Sequence, residues 1–135
     1  TLGGRAAEKI MFNKISTGAL SDLEKVTKQA RAIVSVYGLN DKIGNITYYD
    51  SSGQTDYNFT KPYSEETAKK IDEEISLIIE KQYKRACDIL KKNKSKLSAL
   101  ASRLLEKEVI FKEDLVKILG ERPFSREEVK EKIKE

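Results

Sequence analysis

Apolar residues recur at intervals of three and four along most of this chain, the spacing that places them on one face of an α-helix. The clearest stripe predicts a helix from about Leu20 to Tyr37 that stops at Gly38. Its apolar positions are Leu23, Val26, Ala30, Ile33, Val34 and Tyr37. Ser21 and Glu24 fit the S-x-x-E capping box, so we expect Ser21 to cap this helix.

The same spacing predicts four further helices. They cover about residues 4–12, 64–92, 95–107 and 112–119. The connection between the second and third of these is short, which predicts that the two pack as a long antiparallel helical hairpin. A charged segment at residues 125–135 has little apolar content, and we expect it to form a frayed terminal helix.

Residues 46–59 interrupt the helical pattern with Thr, Tyr, Asn, Asp and Gly. This composition predicts a small irregular β-hairpin or an ordered loop, ended by Pro62. The predicted fold class is therefore mainly α. We expect residues 1–124 to form one structural unit, with residues 125–135 as an appended helix.

Composition limits the chemistry of this chain. Its 135 residues include no histidine and one cysteine, Cys87. This chain alone therefore supplies no catalytic triad, no histidine acid or base and no histidine metal ligand. One cysteine also excludes an internal disulfide and a multi-cysteine zinc site. We interpret Cys87, which lies beside an apolar stripe, as a small hydrophobic residue.

The charge of the chain does not indicate a nucleic-acid partner. The 26 basic and 22 acidic residues give a net charge of +4, and the two signs interleave as on solvated helix faces. The longest basic stretch, residues 91–96, contains no aromatic residue on which a base could stack. We therefore expect no binding of nucleic acid.

The chain has no run close to the roughly 18–20 apolar residues that a membrane-spanning helix needs. It also lacks the apolar region of a signal peptide. The chain begins at Thr1, already inside a motif-like stretch, so we expect it to be part of a larger protein.

Two stretches are more specific than helical periodicity requires. They read LGGRAAE at residues 2–8 and STGALSDLE at residues 16–24. Both resemble the peptidase domain of the FtsH family, membrane-bound AAA+ zinc metalloproteases. Shorter matches follow in the same order at YGL (37–39), DKIG (41–44), YSEET (63–67), ALA (99–101) and LLEKE (104–108). The resemblance covers nearly the whole chain up to Phe124, with residues 46–61 as its least constrained part.

The resemblance implies a zinc site. The family holds zinc with two histidines of an H-E-x-x-H helix, whose glutamate is the general base, and with an aspartate that corresponds to Asp22. Glu8 matches a family glutamate that supports the metal site without binding the metal. The chain departs from the family at Lys9, where an acidic residue is common, and at Ser21, where Asn is common. It contains no H-E-x-x-H. The resemblance therefore implies the C-terminal part of the peptidase domain, inactive by itself.

For the intact protein, the resemblance implies an ATP-dependent zinc metalloendopeptidase that degrades unfolded membrane and cytosolic proteins. Its cofactors would be Zn²⁺ at the peptidase site and ATP with Mg²⁺ in an ATPase domain outside this chain. The family forms homo-hexamers, in which helices 64–92 and 95–107 would pack within and between subunits. The implied location is the bacterial inner membrane, with the peptidase domain on the cytoplasmic side, or an organellar membrane. The membrane anchor would lie in N-terminal segments outside this chain.

The residues alone leave two alternatives open. Asp22 also fits an acid favoured in the first turn of a helix by the helix dipole. The whole chain also fits a non-catalytic helical adaptor or a nucleic-acid-binding domain, with residues 112–133 as a helix-turn-helix around Gly120. The recognition helix would then mix acidic and basic residues, which disfavours nucleic acid.

Overall fold

A computed structural model describes residues 1–49 and 62–122 of the chain. Within these residues the chain forms five α-helices and no strand. The helices are α1 (Gly3–Phe12), α2 (Leu20–Ser35), α3 (Glu65–Lys92), α4 (Lys94–Lys107) and α5 (Lys112–Leu119). The mainly α fold class is confirmed, and so are the five helices that periodicity predicts in this part of the chain.

Some predictions fall outside the described residues. The terminal helix at 125–135 does so entirely, and the hairpin or loop at 46–59 does so beyond Tyr49. The chain divides into two compact units, residues 1–91 and 92–135. The antiparallel packing of α3 against α4 stays a prediction, and so does the division at residue 124.

The start of α2 differs from the sequence-based expectation. The predicted capping box at Ser21 is wrong, because α2 begins at Leu20 and Ser21 lies inside its first turn. A 3₁₀ turn at Thr17–Ala19 leads directly into the helix. The side-chain cap therefore lies earlier, at Ser16, whose Oγ accepts a hydrogen bond from the Gly18 N–H at 3.2 Å.

The hydrophobic core of the first unit lies between α2 and α3. Its buried members are Ala30, Val34, Ile43, Ile71 and Ile75. Val34 is completely buried, and Ile71 is 3% exposed. The apolar stripes of the two helices thus face each other, with Ile43 contributed by the segment that follows α2.

Tyr48 and Tyr63, which precede and follow residues 50–61 in the sequence, extend this core. Both pack against the buried cluster, and their rings meet edge to face with centroids 5.2 Å apart. The hydroxyls of Tyr49 and Tyr63 are hydrogen-bonded at 3.0 Å, which raises the pKa of Tyr63 to about 12.

A buried carboxylate fixes the segment between α2 and Ile43. Glu74 of α3 accepts a hydrogen bond from Asn40 Nδ2 at 2.9 Å and pairs with Lys42 Nζ at 2.6 Å. The Asn40 hydrogen bond and then Lys42 lower the pKa of Glu74. Asn40 Oδ1 in turn accepts from the backbone N–H groups of Lys42 and Ile43, at 3.0 and 3.2 Å. These bonds seat Ile43 in the core.

The described part of the second unit is organised around an acidic residue. Asp114 of α5 is buried and pairs with Lys107 at 3.0 Å and Arg103 at 3.2 Å, both on α4. Lys107, assisted by Arg103, lowers the pKa of Asp114. Lys96 Nζ also donates to the Leu119 carbonyl at 3.0 Å. Charged contacts join α4 to α5, and no apolar side chain described in this unit is buried.

Large apolar side chains remain exposed in both units. They include Phe12, Tyr37, Leu39, Leu77, Ile89, Leu105 and Phe111. None of the helices in residues 1–49 and 62–122 combines the length and the apolar content needed to cross a membrane.

We expect Ile71→Ala to reduce the free energy of unfolding by about 2–5 kcal/mol, the usual cost of truncating a buried isoleucine. Urea denaturation followed by far-UV circular dichroism measures the change. Leu77→Ala on the same helix is the matched control, because Leu77 is 55% exposed. It should cost less than about 0.5 kcal/mol. Equal losses in the two variants would contradict a core centred between α2 and α3.

We expect Asp114→Asn to lower the midpoint of thermal unfolding at neutral pH, because the amide loses the charge that pairs with Lys107 and Arg103. A lowered pKa means that the carboxylate stabilises the folded state above its unfolded pKa and loses this effect as pH falls through the folded pKa. The difference in unfolding midpoint between Asp114→Asn and the parent chain should therefore narrow below about pH 4. Calorimetry across acidic and neutral pH measures it.

Glu113→Gln is the control for this experiment, because Glu113 lies in the same first turn of α5 but is exposed. Its effect should be small at every pH. If the unfolding midpoint of Asp114→Asn differs from that of the parent by the same amount at every pH, the lost charge is not the cause of the destabilisation.

Candidate metal centre

Asp22 lies in the first turn of α2, as its third residue. Its carboxylate is close to the positive end of the helix dipole, which favours an anion. The side chain is 45% exposed, and Lys25 Nζ lies 3.7 Å from Oδ1. An exposed pair of this kind contributes less than about 1 kcal/mol. The carboxylate is therefore held on a rigid element and remains available to a cation.

Glu8, on α1, is the other residue that the family resemblance singles out. Its two oxygens both bind Ser16: Oε1 accepts from the hydroxyl at 2.8 Å, and Oε2 accepts from the backbone N–H at 3.1 Å. The Ser16 hydroxyl, followed by the backbone N–H, lowers the pKa of Glu8. Glu8 is thus an ionised carboxylate that holds the segment between α1 and α2.

The structure does not join Glu8 to Asp22 directly. Among the described residues, Glu8 hydrogen-bonds to Ser16, and Asp22 pairs with Lys25. Ser16 lies in the STGALSDLE motif, but the sequence did not predict its bonds to Glu8. The sequence signal that could have identified Ser16 is its hydroxyl at the start of STGALSDLE, directly before the 3₁₀ turn that leads into the helix of Asp22.

The donors present fit one zinc ligand. An aspartate oxygen is an accepted zinc donor, and hydrolytic zinc sites use three protein ligands with a fourth position open to water. In residues 1–49 and 62–122, no three Cys, Asp or Glu side chains come together as a metal site, and the sequence has no histidine. A zinc ion bound by Asp22 would therefore need at least one protein ligand from outside these residues.

Two shallow pockets in the first unit lie away from Asp22. One of about 280 Å³ is lined by the first residues of the chain together with Val26, Arg85 and Ile89. The other, of about 470 Å³, is lined by the second half of α2, from Lys28 to Ile33, and by Tyr37 after the helix. Neither includes Asp22 or Glu8, so neither forms a cleft over the candidate ligand.

Relatives with established names match most of this chain. An ATP-dependent zinc metalloprotease FtsH of Parabacteroides distasonis is 59% identical over 122 residues, which is 90% of this chain and 18% of the relative. An ATP-dependent zinc metalloprotease FTSH 3, mitochondrial, of Arabidopsis thaliana is 50% identical over 96% of this chain and 16% of its own length. A mitochondrial inner membrane m-AAA protease component, AFG3L2, of Mus musculus is 44% identical over 100% of this chain and 17% of its own length.

This chain therefore spans less than a fifth of the length of these curated relatives. The sequence model of Peptidase family M41 matches residues 1–118 and thus includes both Glu8 and Asp22. The resemblance stated from the motifs is confirmed by this match. The chain belongs to Peptidase family M41, and over most of its length it is similar to FtsH-type zinc metalloproteases.

Proposed function

We propose that this chain supplies the third zinc ligand, Asp22, to the active site of an ATP-dependent zinc metalloendopeptidase. The observation that carries the proposal is the position of Asp22. It lies in the STGALSDLE motif, inside the family match, on the first turn of a packed helix, with only a weak ion pair. A helix-terminal acid that served only the dipole would not need this motif around it.

The chemistry requires little from this chain besides placement. A bound zinc ion activates water and polarises the scissile carbonyl of a peptide. Asp22 would hold one coordination position. Glu8 would support the site from α1 through the segment before α2, because partners behind the ligands fix ligand orientation. The two histidines and the general-base glutamate belong to an H-E-x-x-H helix outside this chain.

The intact protein would couple this site to an ATPase domain that binds ATP and Mg²⁺. ATP-driven threading would deliver unfolded membrane and cytosolic proteins to the zinc site. Six subunits would form the ring, with α3 and α4 packing within and between them. The exposed apolar residues Leu77 on α3 and Leu105 on α4 support that role. The proposed location is the bacterial inner membrane, with the peptidase on the cytoplasmic side, or an organellar membrane. We propose no nucleic-acid partner.

We expect the purified 135-residue chain to hydrolyse no casein and to retain no tightly bound zinc after desalting, because one carboxylate cannot form a tetrahedral site. Fluorescent-casein release and elemental analysis measure the two properties. A complete zinc protease treated in the same way is the positive control. Casein hydrolysis that a chelator abolishes would contradict the division of ligands proposed here.

In the intact protease, we expect Asp22→Ala to lower casein hydrolysis by more than about 100-fold, beyond the loss typical for a residue that only orients a ligand. The zinc content should fall as well, while ATP hydrolysis should change little. Asp88→Ala is the matched control, since Asp88 is an exposed aspartate on α3. Normal zinc content and normal proteolysis in Asp22→Ala would exclude Asp22 as a ligand.

A further inference from the structure

We propose that Ser16 is a positioning residue for Asp22 and that Glu8 acts on the metal site through Ser16. The inference rests on the proposed function, in which Asp22 binds zinc. It adds a residue to which neither the motifs nor the comparisons give a role, and it specifies the route by which a carboxylate on α1 controls a ligand on α2.

Ser16 makes three hydrogen bonds with one small side chain and one backbone group. Its hydroxyl and its backbone N–H both donate to the Glu8 carboxylate, at 2.8 and 3.1 Å. The same hydroxyl oxygen accepts from the Gly18 N–H at 3.2 Å. Only a hydroxyl side chain can both donate and accept in this way, so alanine at this position would lose two of the three bonds.

The Ser16 bonds control the direction of α2. Gly18 belongs to the 3₁₀ turn at Thr17–Ala19, and the Leu20 N–H donates to the Thr17 carbonyl at the junction with the helix. The chain therefore passes from Ser16 to Asp22 without an irregular residue. A shift of the turn moves Asp22 with it.

The other end of this connection is also fixed. Glu8 lies on α1, which is anchored by Ala6, a residue with no exposed surface. Glu8 is therefore a stable point from which Ser16 and the turn can be held. Metal ligands need this support, because a catalytic group must be held within about 0.5 Å of its productive position.

Gly18 supports the same arrangement by leaving room. A Cβ at residue 18 would lie 3.3 Å from Ser16 Oγ, closer than most Cβ contacts. Alanine at this position would push the Ser16 hydroxyl away from its ideal position between Glu8 and the Gly18 N–H. Gly18→Ala therefore perturbs the bonds of Ser16 while the hydroxyl itself remains.

Ser64 is the matched control that tests whether Ser16 has only a structural role. Ser64 caps α3 in the same manner, with its Oγ accepting from the Thr67 N–H at 3.2 Å. Ser64→Ala should therefore cost about the 0.5–2 kcal/mol of a lost helix cap. Ser64 hydrogen-bonds to Thr67 of α3, which lies outside the segment before Asp22.

The test measures zinc release from the intact, zinc-loaded protease when a chromogenic chelator is added, together with the unfolding midpoint. We expect Ser16→Ala to release zinc roughly 10-fold faster than the parent, the lower limit for losing a residue that orients a ligand. Ser16→Thr keeps the hydroxyl and should release zinc at nearly the parent rate. Ser64→Ala should lose stability without faster release.

A double-mutant cycle then tests the route from Glu8. Glu8→Ala alone should accelerate zinc release about as much as Ser16→Ala, again about 10-fold. The double variant should release zinc no faster than either single variant, because both changes break the same connection. Fully additive effects would show that Glu8 acts on the site independently of Ser16 and would overturn the inference.

Unchanged zinc release in Ser16→Ala would also overturn the inference, and so would equal acceleration in Ser64→Ala. If Ser16→Ala does not assemble, Gly18→Ala replaces it, and an unchanged release rate there has the same meaning. Asp22→Ala in the same assay separates the two proposals. If Asp22→Ala retains zinc like the parent, the proposed function fails. If it loses zinc while Ser16→Ala does not, only the role of Ser16 fails.

Discussion

The packing of α2 against α3 is the contact on which the rest of the first unit depends. Val34 and Ile71 are the most deeply buried apolar residues of the two helices apart from alanines. Asp22 lies twelve residues before Val34 on the same helix, about 18 Å along its axis. Burial at one end of α2 therefore fixes the helix axis, while the other end carries the candidate ligand. At that distance from the core, Asp22 keeps a fixed position only if the N-terminal end of α2 is held as well.

Where the hydrophobic core does not reach, carboxylates join neighbouring segments of the chain. Glu8 ties α1 to the turn before α2, Glu74 ties α3 to the segment after α2, and Asp114 ties α5 to α4. In each case the partners lower the pKa of the carboxylate, so the charge is retained at neutral pH. No buried side-chain polar atom in the described residues lacks a partner. A chain with many charged residues thus uses a few of them as structural connections and leaves most in solvent.

This division explains what the sequence could predict. Periodicity located α2 and α3, because the apolar stripe that defines each helix is also what the core buries. It placed the cap wrongly at Ser21, because the 3₁₀ turn moves the capping side chain back to Ser16, which a local four-residue motif does not describe. The bond from Glu8 to Ser16 joins residues eight positions apart across a turn, and no periodicity reports it. Asp22 could be singled out only by its motif, because local physics explains an acid at a helix start equally well.

The absence of histidine from this chain has a structural consequence under the proposed function. When the ligands of one zinc ion lie on separate parts of a protein, each part must orient its own donor before the metal binds, because the metal cannot supply that order without a cost in affinity. The segment from Glu8 to Asp22 meets this requirement within fifteen residues: a helix anchored by the buried Ala6, a two-oxygen clamp on Ser16, a 3₁₀ turn and a helix start. The histidines would contribute most of the binding chemistry, whereas this segment contributes geometry. The zinc site would then depend on Ser16 to position the ligand and on Asp22 to bind the metal.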